Sequence, residues 1–238
     1  MPVHESASSA AFPAEPPPSL TEPLAIAEHD WNAFSAVPEM HSHWDRPGWD
    51  ADTRRFYWFL TVDAPAVAEL AERCQRPLEG LAFDLVLPES LHITIARLGD
   101  VNRISSSMLE SAVEAARVRC SRMSPFVVRA IPIAGSRGAV RMSLAPWKPL
   151  WDLHSAVSEA NNDAGLGGHR TTRDFRPHLG VAYCNQTTDA ALVRKEVLEL
   201  RTLPSQEFLV ENVRLVELRR EDRTYRWNVV HTVGLGCG

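Results

Sequence analysis

The side chains best placed to do chemistry are two histidines, His92 in the run LHITIARL and His178 in the run FRPHLGVAYC. An imidazole has an unperturbed pKa near 6.5, so at neutral pH it can either take up a proton or release one. Two of them in one cleft would supply both a general base and a general acid. Each histidine lies in a stretch that reads as a β-strand, where side chains alternate between faces. Ile93 and Ile95 then point to one face while His92 and Thr94 point to the other. In the second run Leu179 and Val181 share one face, and His178 shares the opposite one with Gly180. A single histidine of this kind is ordinarily a packed or surface residue. Here two stand 86 positions apart in corresponding strands, each with a small or hydroxyl-bearing residue two positions on.

The elements that must position them follow from hydrophobic periodicity. RFYWFLTVD (55–63) reads as a strand, and Val67, Leu70, Ala71 and Cys74 take helical spacing after Ala64-Pro65. Residues 91–98 form a second strand. Ile104, Met108, Ala112, Val113 and Ala116 mark a helix behind the Ser105–Ser107 cap cluster. Residues 126–133 and 139–144 read as strands around a Gly-Ser-Arg-Gly turn. The second half repeats the theme. Helices are marked by Leu150, Leu153, Val157 and Ala160 and by Ala190, Val193, Val197 and Leu200, with a strand from His178 between them. Two strands, 208–218 and 225–233, close the chain. Mixed helices and hairpins in two comparable halves predict an α+β fold of two related lobes.

Composition narrows the class. The chain has 238 residues, 45% hydrophobic and 23% charged, which is enough to bury a sizeable core. No apolar run approaches the roughly 18–20 residues of a membrane helix. The four cysteines (74, 120, 184 and 237) have no paired spacing, which fits a reducing compartment rather than a disulfide scaffold or zinc ribbon. Six of the 17 prolines fall in the first 24 residues, and residues 1–45 hold seven acids without a Lys or Arg. Residues 1–38 are therefore expected to be a disordered acidic arm, with a folded domain over 39–238. The remainder carries 23 acids against 25 bases, not the strongly basic footprint of a duplex binder. The N-terminus has neither a basic n-region nor the arginines of a transit peptide, so a cytoplasmic location is expected.

His-x-Thr/Ser twice, the second behind Phe-x-Pro, resembles the two-histidine (2H) phosphoesterase superfamily, and in particular its bacterial 2′-5′ RNA ligase branch. The motifs are HITI at 92–95 and FRPHLGV at 175–181. HWDRPGW at 43–49, RPHLGVAYCN and the closing RRED and TYRW stretches resemble that branch too, so the likeness spans about residues 40–236. It implies two pseudo-symmetric lobes, each an antiparallel sheet with helices, around a central groove, with His92 and His178 facing each other across a phosphate. Opening a 2′,3′-cyclic phosphate, or a 2′,5′-phosphodiester, needs a base to activate water and an acid to protonate the departing ribose oxygen. The two histidines would fill these roles without metal or cofactor, and Thr94 would donate to a phosphate oxygen. The implied partner is an RNA end or nucleotide, bound by a monomeric chain without a membrane. The sequence does not assign acid and base to one histidine each, nor hydrolysis over the reverse ligation.

One departure stands out. The second motif has Gly180 where the family carries Thr or Ser, so a hydroxyl is missing beside the phosphate. A backbone N–H at Gly180 could replace it in part, or the protein could bind RNA ends with little turnover. Among the remaining histidines, His154 and His231 are expected in the core. His169 lies in a Gly-rich loop beside Arg170. His41-Ser-His43 with Asp45 lacks the downstream ligands of a metal site.

Overall fold

The structure, a computed structural model, describes residues 12–13, 15–45, 47–167 and 171–236. In chain order the elements are α1 (Pro23–Ser35), β1 (Glu39–Met40), β2 (Arg55–Thr61), α2 (Pro65–Gln75), β3 (Phe83–Leu85), β4 (His92–Asp100), α3 (Ser106–Cys120), β5 (Phe126–Ser136) and β6 (Ala139–Ala145). They continue with α4 (Trp147–Asp163), β7 (His178–Cys184), β8 (Thr188–Asp189), α5 (Ala190–Val197), β9 (Gln206–Val210), β10 (Asn212–Glu221) and β11 (Thr224–Gly234). The strands build a four-stranded antiparallel sheet, β11-β10-β2-β4, and a five-stranded antiparallel sheet, β3-β7-β6-β5-β9. β1 and β8 form a short separate pair. This is the α+β architecture that the sequence pattern implies.

Each large sheet delivers one motif strand. His92 opens β4 at the edge of the first sheet, and His178 opens β7 inside the second. β4 and β7 run close to one another where the sheets meet, without sharing a ladder. On the core side, Trp58, Ile93 and Leu98 of the first sheet join Met142, Leu179 and Val181 of the second in one buried cluster. The alternation that buries Ile93 and Leu179 is what turns the two histidines the other way.

Single-residue bulges adjust the faces. Among them are extra residues at Ile95 and Leu98 in β4, Val181 in β7 and Val230 in β11. A bulge reverses the alternation beyond it. Tyr183 therefore joins His178 and Gly180 on their face, although its odd number places it with Leu179 and Val181. In β11, Tyr225 and Trp227 lie opposite Arg220 and Leu218, whereas His231 pairs with Leu215 on the other face. His231 is half-buried rather than fully in the core.

The expected disorder through residue 38 does not hold for residues 23–35. Pro23 starts α1 at a position where its missing N–H is harmless, and Ile26, Asp30 and Phe34, four apart, form its buried stripe. Asp30 is the reason the stripe is hard to see. Its carboxylate receives both terminal nitrogens of Arg141 at 3.2 Å and the Ser143 hydroxyl at 2.6 Å, with the Asp30 and Arg141 side chains each 1% exposed. A buried acid reads as a surface residue until its partner is known. Cys74, Cys120 and Cys184 are buried thiols outside any disulfide, and burial pushes the first two up to about 12 and about 11. Cys237 lies outside the described residues.

Candidate active site

The two histidines are held by the same local device. His92 Nδ1 donates to the Ser90 carbonyl at 2.9 Å, and His178 Nδ1 donates to the Arg176 carbonyl at 2.7 Å. A carbonyl oxygen only accepts, so each ring carries its hydrogen on Nδ1 and its basic lone pair on Nε2. Each bond spans two residues, from the turn that precedes the strand. His-x-Thr in β4 and His-x-Gly in β7 are thus pinned in one tautomer by the chain that leads into them.

Their surroundings differ. His92 lies flat on Phe59, with ring centroids 4.3 Å apart, and meets the edge of Trp227 at 5.1 Å. Burial lowers its pKa to about 4, against a smaller upward pull from the Ser90 carbonyl. His92 is therefore neutral at pH 7. Unfolding releases it to an ordinary 6.5, so between these values the unfolded chain binds the extra proton. The stability from keeping His92 neutral is complete above about pH 6.5 and is lost as pH falls towards 4. It amounts to something on the order of 3 kcal/mol. Urea unfolding at pH 7 and pH 4.5 should show this loss in the wild type, and His92→Gln should lack that part of it.

Thr94 shares the His92 face and lies opposite Phe59 in the ladder, partly buried. Gly180 is buried, on the face of His178 and opposite Arg141. The register places Ser143 opposite His178, and α1 binds this Arg141–Ser143 pair through Asp30. The segment before α1 also reaches the site. The Phe12 ring is 5.0 Å from the His178 ring and 4.8 Å from the Arg141 guanidinium carbon, while the Pro13 carbonyl accepts from Arg176 Nε at 3.1 Å.

Between the motif strands lies an aromatic wall that sequence reasoning missed. Tyr225 is 6.4 Å from His92 and 5.5 Å from Tyr183, so rings lead from the first motif to the strand of the second. His43 is part of this wall. Its ring stacks on Tyr183 at 4.1 Å, and its Nε2 is 2.9 Å from the Tyr225 hydroxyl, which also accepts from Arg220 at 3.1 Å. The Arg220 guanidinium carbon sits 4.6 Å from the Trp49 ring centre and 5.4 Å from that of Trp44. The available signal was the aromatic HWDRPGW and TYRW stretches, but Tyr183, which joins them, is turned to their side only by the bulge at Val181. His41 is half-exposed beside Glu39, and no three His, Cys, Asp or Glu among the described residues are grouped to hold a metal ion. His154 is buried, stacked on Phe175 at 4.7 Å and bonded through Nδ1 to the Thr172 hydroxyl. His169 and Arg170 lie outside the described residues.

Two antiparallel sheets that each present a histidine strand to a common junction define the two-histidine phosphoesterase class of fold. The family model of the 2′-5′ RNA ligase superfamily matches residues 60–222, and the chain belongs to that superfamily. Similar solved structures include E. coli LigT complexed with 3′-AMP, 16% identical, with a TM-score of 0.53 over 77% of this chain and 98% of that one. A second is a protein described only as a phosphoesterase, 18% identical, with a TM-score of 0.54 over 77% and 99% of the two chains. A third is TT0787 of Thermus thermophilus, 17% identical, with a TM-score of 0.53 over 76% and 98%. At these identities the likeness is one of fold. No curated protein matches the sequence. No helix among the described residues is long and apolar enough to cross a membrane.

Proposed function

We propose that the protein is a metal-independent phosphoesterase that hydrolyses a 2′,3′-cyclic phosphate or a 2′,5′-phosphodiester of RNA or a nucleotide, with His92 and His178 as its acid–base pair. The observation that carries this reading is the matched pinning of both rings, which gives Nε2 the basic lone pair in each. A neutral His92 is the base. Its Nε2 takes a proton from water, the water oxygen bonds to phosphorus, and the bond from phosphorus to one ribose oxygen breaks. His178, protonated beside the anionic phosphate, gives its Nε2 proton to that departing oxygen. Thr94 donates to a non-bridging oxygen as charge develops there.

The aromatic wall supports a nucleobase in the groove, since every base has a face that stacks on such rings. A complex of LigT with 3′-AMP has the same chemistry of ligand. If a hydroxyl of a second RNA end takes the place of water, the same proton transfers join two RNA ends. The missing hydroxyl at Gly180 supports a second reading, in which the groove captures phosphorylated or cyclic RNA ends with little turnover.

Incubation with the four nucleoside 2′,3′-cyclic monophosphates in EDTA separates the two. The expected result is chelator-resistant hydrolysis to one product isomer, which identifies the leaving oxygen. A folded protein that binds these nucleotides without turning them over would select the end-binding reading. One that neither binds nor cleaves them, nor cleaves a 2′,5′-linked dinucleotide, would overturn both.

A further inference from the structure

Gly180 does not answer to a backbone need, because its φ is not among the positive values seen at Gly48, Gly80, Gly99, Gly165 and Gly236. Space explains it. A Cβ built at Gly180 would lie 3.4 Å from both Cε1 and Oη of Tyr183. A Cβ alone is therefore at the near limit of ordinary contact, and a γ-oxygen or γ-methyl of threonine turned towards the ring, reaching about 1.5 Å further, would press on the phenol. The ring is also held by its stack on His43 and by the edges of Trp44 and Tyr225.

The bulge at Val181 is what brings Tyr183 here. Without it, residue 183 would turn to the core with Leu179. With it, a phenol leans back along β7 to Gly180, on the face of His178. A tyrosine hydroxyl is a donor like a threonine hydroxyl, carried on a longer and stiffer arm.

We propose that Tyr183 is a phosphate-binding residue whose hydroxyl replaces the one absent from the second motif, Gly180 being the vacancy that admits it. The inference rests on the reading of the groove as a phosphoesterase site. Its two halves would then be His92 with Thr94 and His178 with Tyr183. The donor serves the phosphoryl oxygens as negative charge builds on them, so its loss should fall on kcat more than on KM.

The test uses three full-length variants, Tyr183→Phe, Gly180→Thr and the double exchange Gly180→Thr with Tyr183→Phe. Each is assayed with a nucleoside 2′,3′-cyclic monophosphate, and its affinity for inorganic phosphate is measured separately. Phenylalanine keeps the ring that stacks on His43 and removes only the hydroxyl, and circular dichroism checks that each variant folds. The expected loss in kcat for Tyr183→Phe is roughly 10²-fold. Gly180→Thr alone should also lose activity, because it displaces the phenol. The double exchange should recover to within about tenfold of wild type and regain phosphate affinity, since threonine then fills the vacated space with the usual hydroxyl. Full activity in Tyr183→Phe, or a double exchange no better than the worse single variant, would overturn the proposal while leaving the phosphoesterase reading intact. A wild type that neither cleaves the cyclic nucleotide nor binds phosphate would overturn both.

Discussion

Replacing His92 or His178 by alanine should lower turnover of the cyclic nucleotide by 10²- to 10⁴-fold, the range expected when a positioned acid or base is removed. In the proposed mechanism one ring would accept the proton of the attacking water and the other would supply the proton of the departing oxygen, so the two would act as a unit. The double variant should therefore be little worse than the poorer single one. Steady-state kinetics on the three variants, with circular dichroism to show that each folds, gives the comparison. Losses that multiply would mean that the histidines act independently. A loss confined to His178→Ala would leave the Nε2 of His92 without a catalytic part. The pH profile adds a sign. With His92 held to about 4, the limb of kcat/KM that reports its deprotonation should rise near pH 4, well below the 6.5 of a free imidazole.

The second large effect concerns stability. Asp30→Ala should destabilise the protein by about 3–5 kcal/mol, because it leaves the Arg141 guanidinium buried and uncompensated. The geometry makes the site unforgiving. Asp30 accepts from both terminal nitrogens of Arg141 and from Ser143, and Arg141 Nε is buried without a hydrogen-bond partner among the described residues. Replacing both members, Asp30→Ala with Arg141→Met, should recover much of the loss, since the desolvated charge goes with its partner. Urea midpoints of the single and double variants measure it. An Asp30→Ala protein within about 1 kcal/mol of wild type would mean that α1 and the face of β6 separate at little expense.

How much of the fold and site was legible in the sequence depended on whether the deciding contact was local. The strand faces of His92 and His178 were legible because a period of two is a property of adjacent residues, and each histidine opens the strand in which it was expected. The α2, α3, α4 and α5 helices were legible for the same reason. α1 was not, since one residue of its stripe is an acid whose burial depends on Arg141 and Ser143, 111 and 113 positions away. Tyr183 was hidden more thoroughly. Strict alternation assigns it to the core, and a single extra residue at Val181 reverses that. The same error places His231 on the face of Tyr225 and Trp227, from which the extra residue at Val230 removes it. His43 was visible as a histidine, but its role in the aromatic wall rests on Tyr183 and Tyr225, which no spacing connects to it.

The attachment of α1 also has a consequence in time. At 13 residues it is about as long as the shortest helices that hold together alone in water. It is synthesised before the arginine and serine that fix it, which lie more than a hundred residues further along the chain. Docking must wait until β6 exists and has paired with its neighbours, and closing so long a loop is slow. The helix thus settles only after a strand made well after it. Until it does, the face of the second sheet that carries His178 stands open on that side.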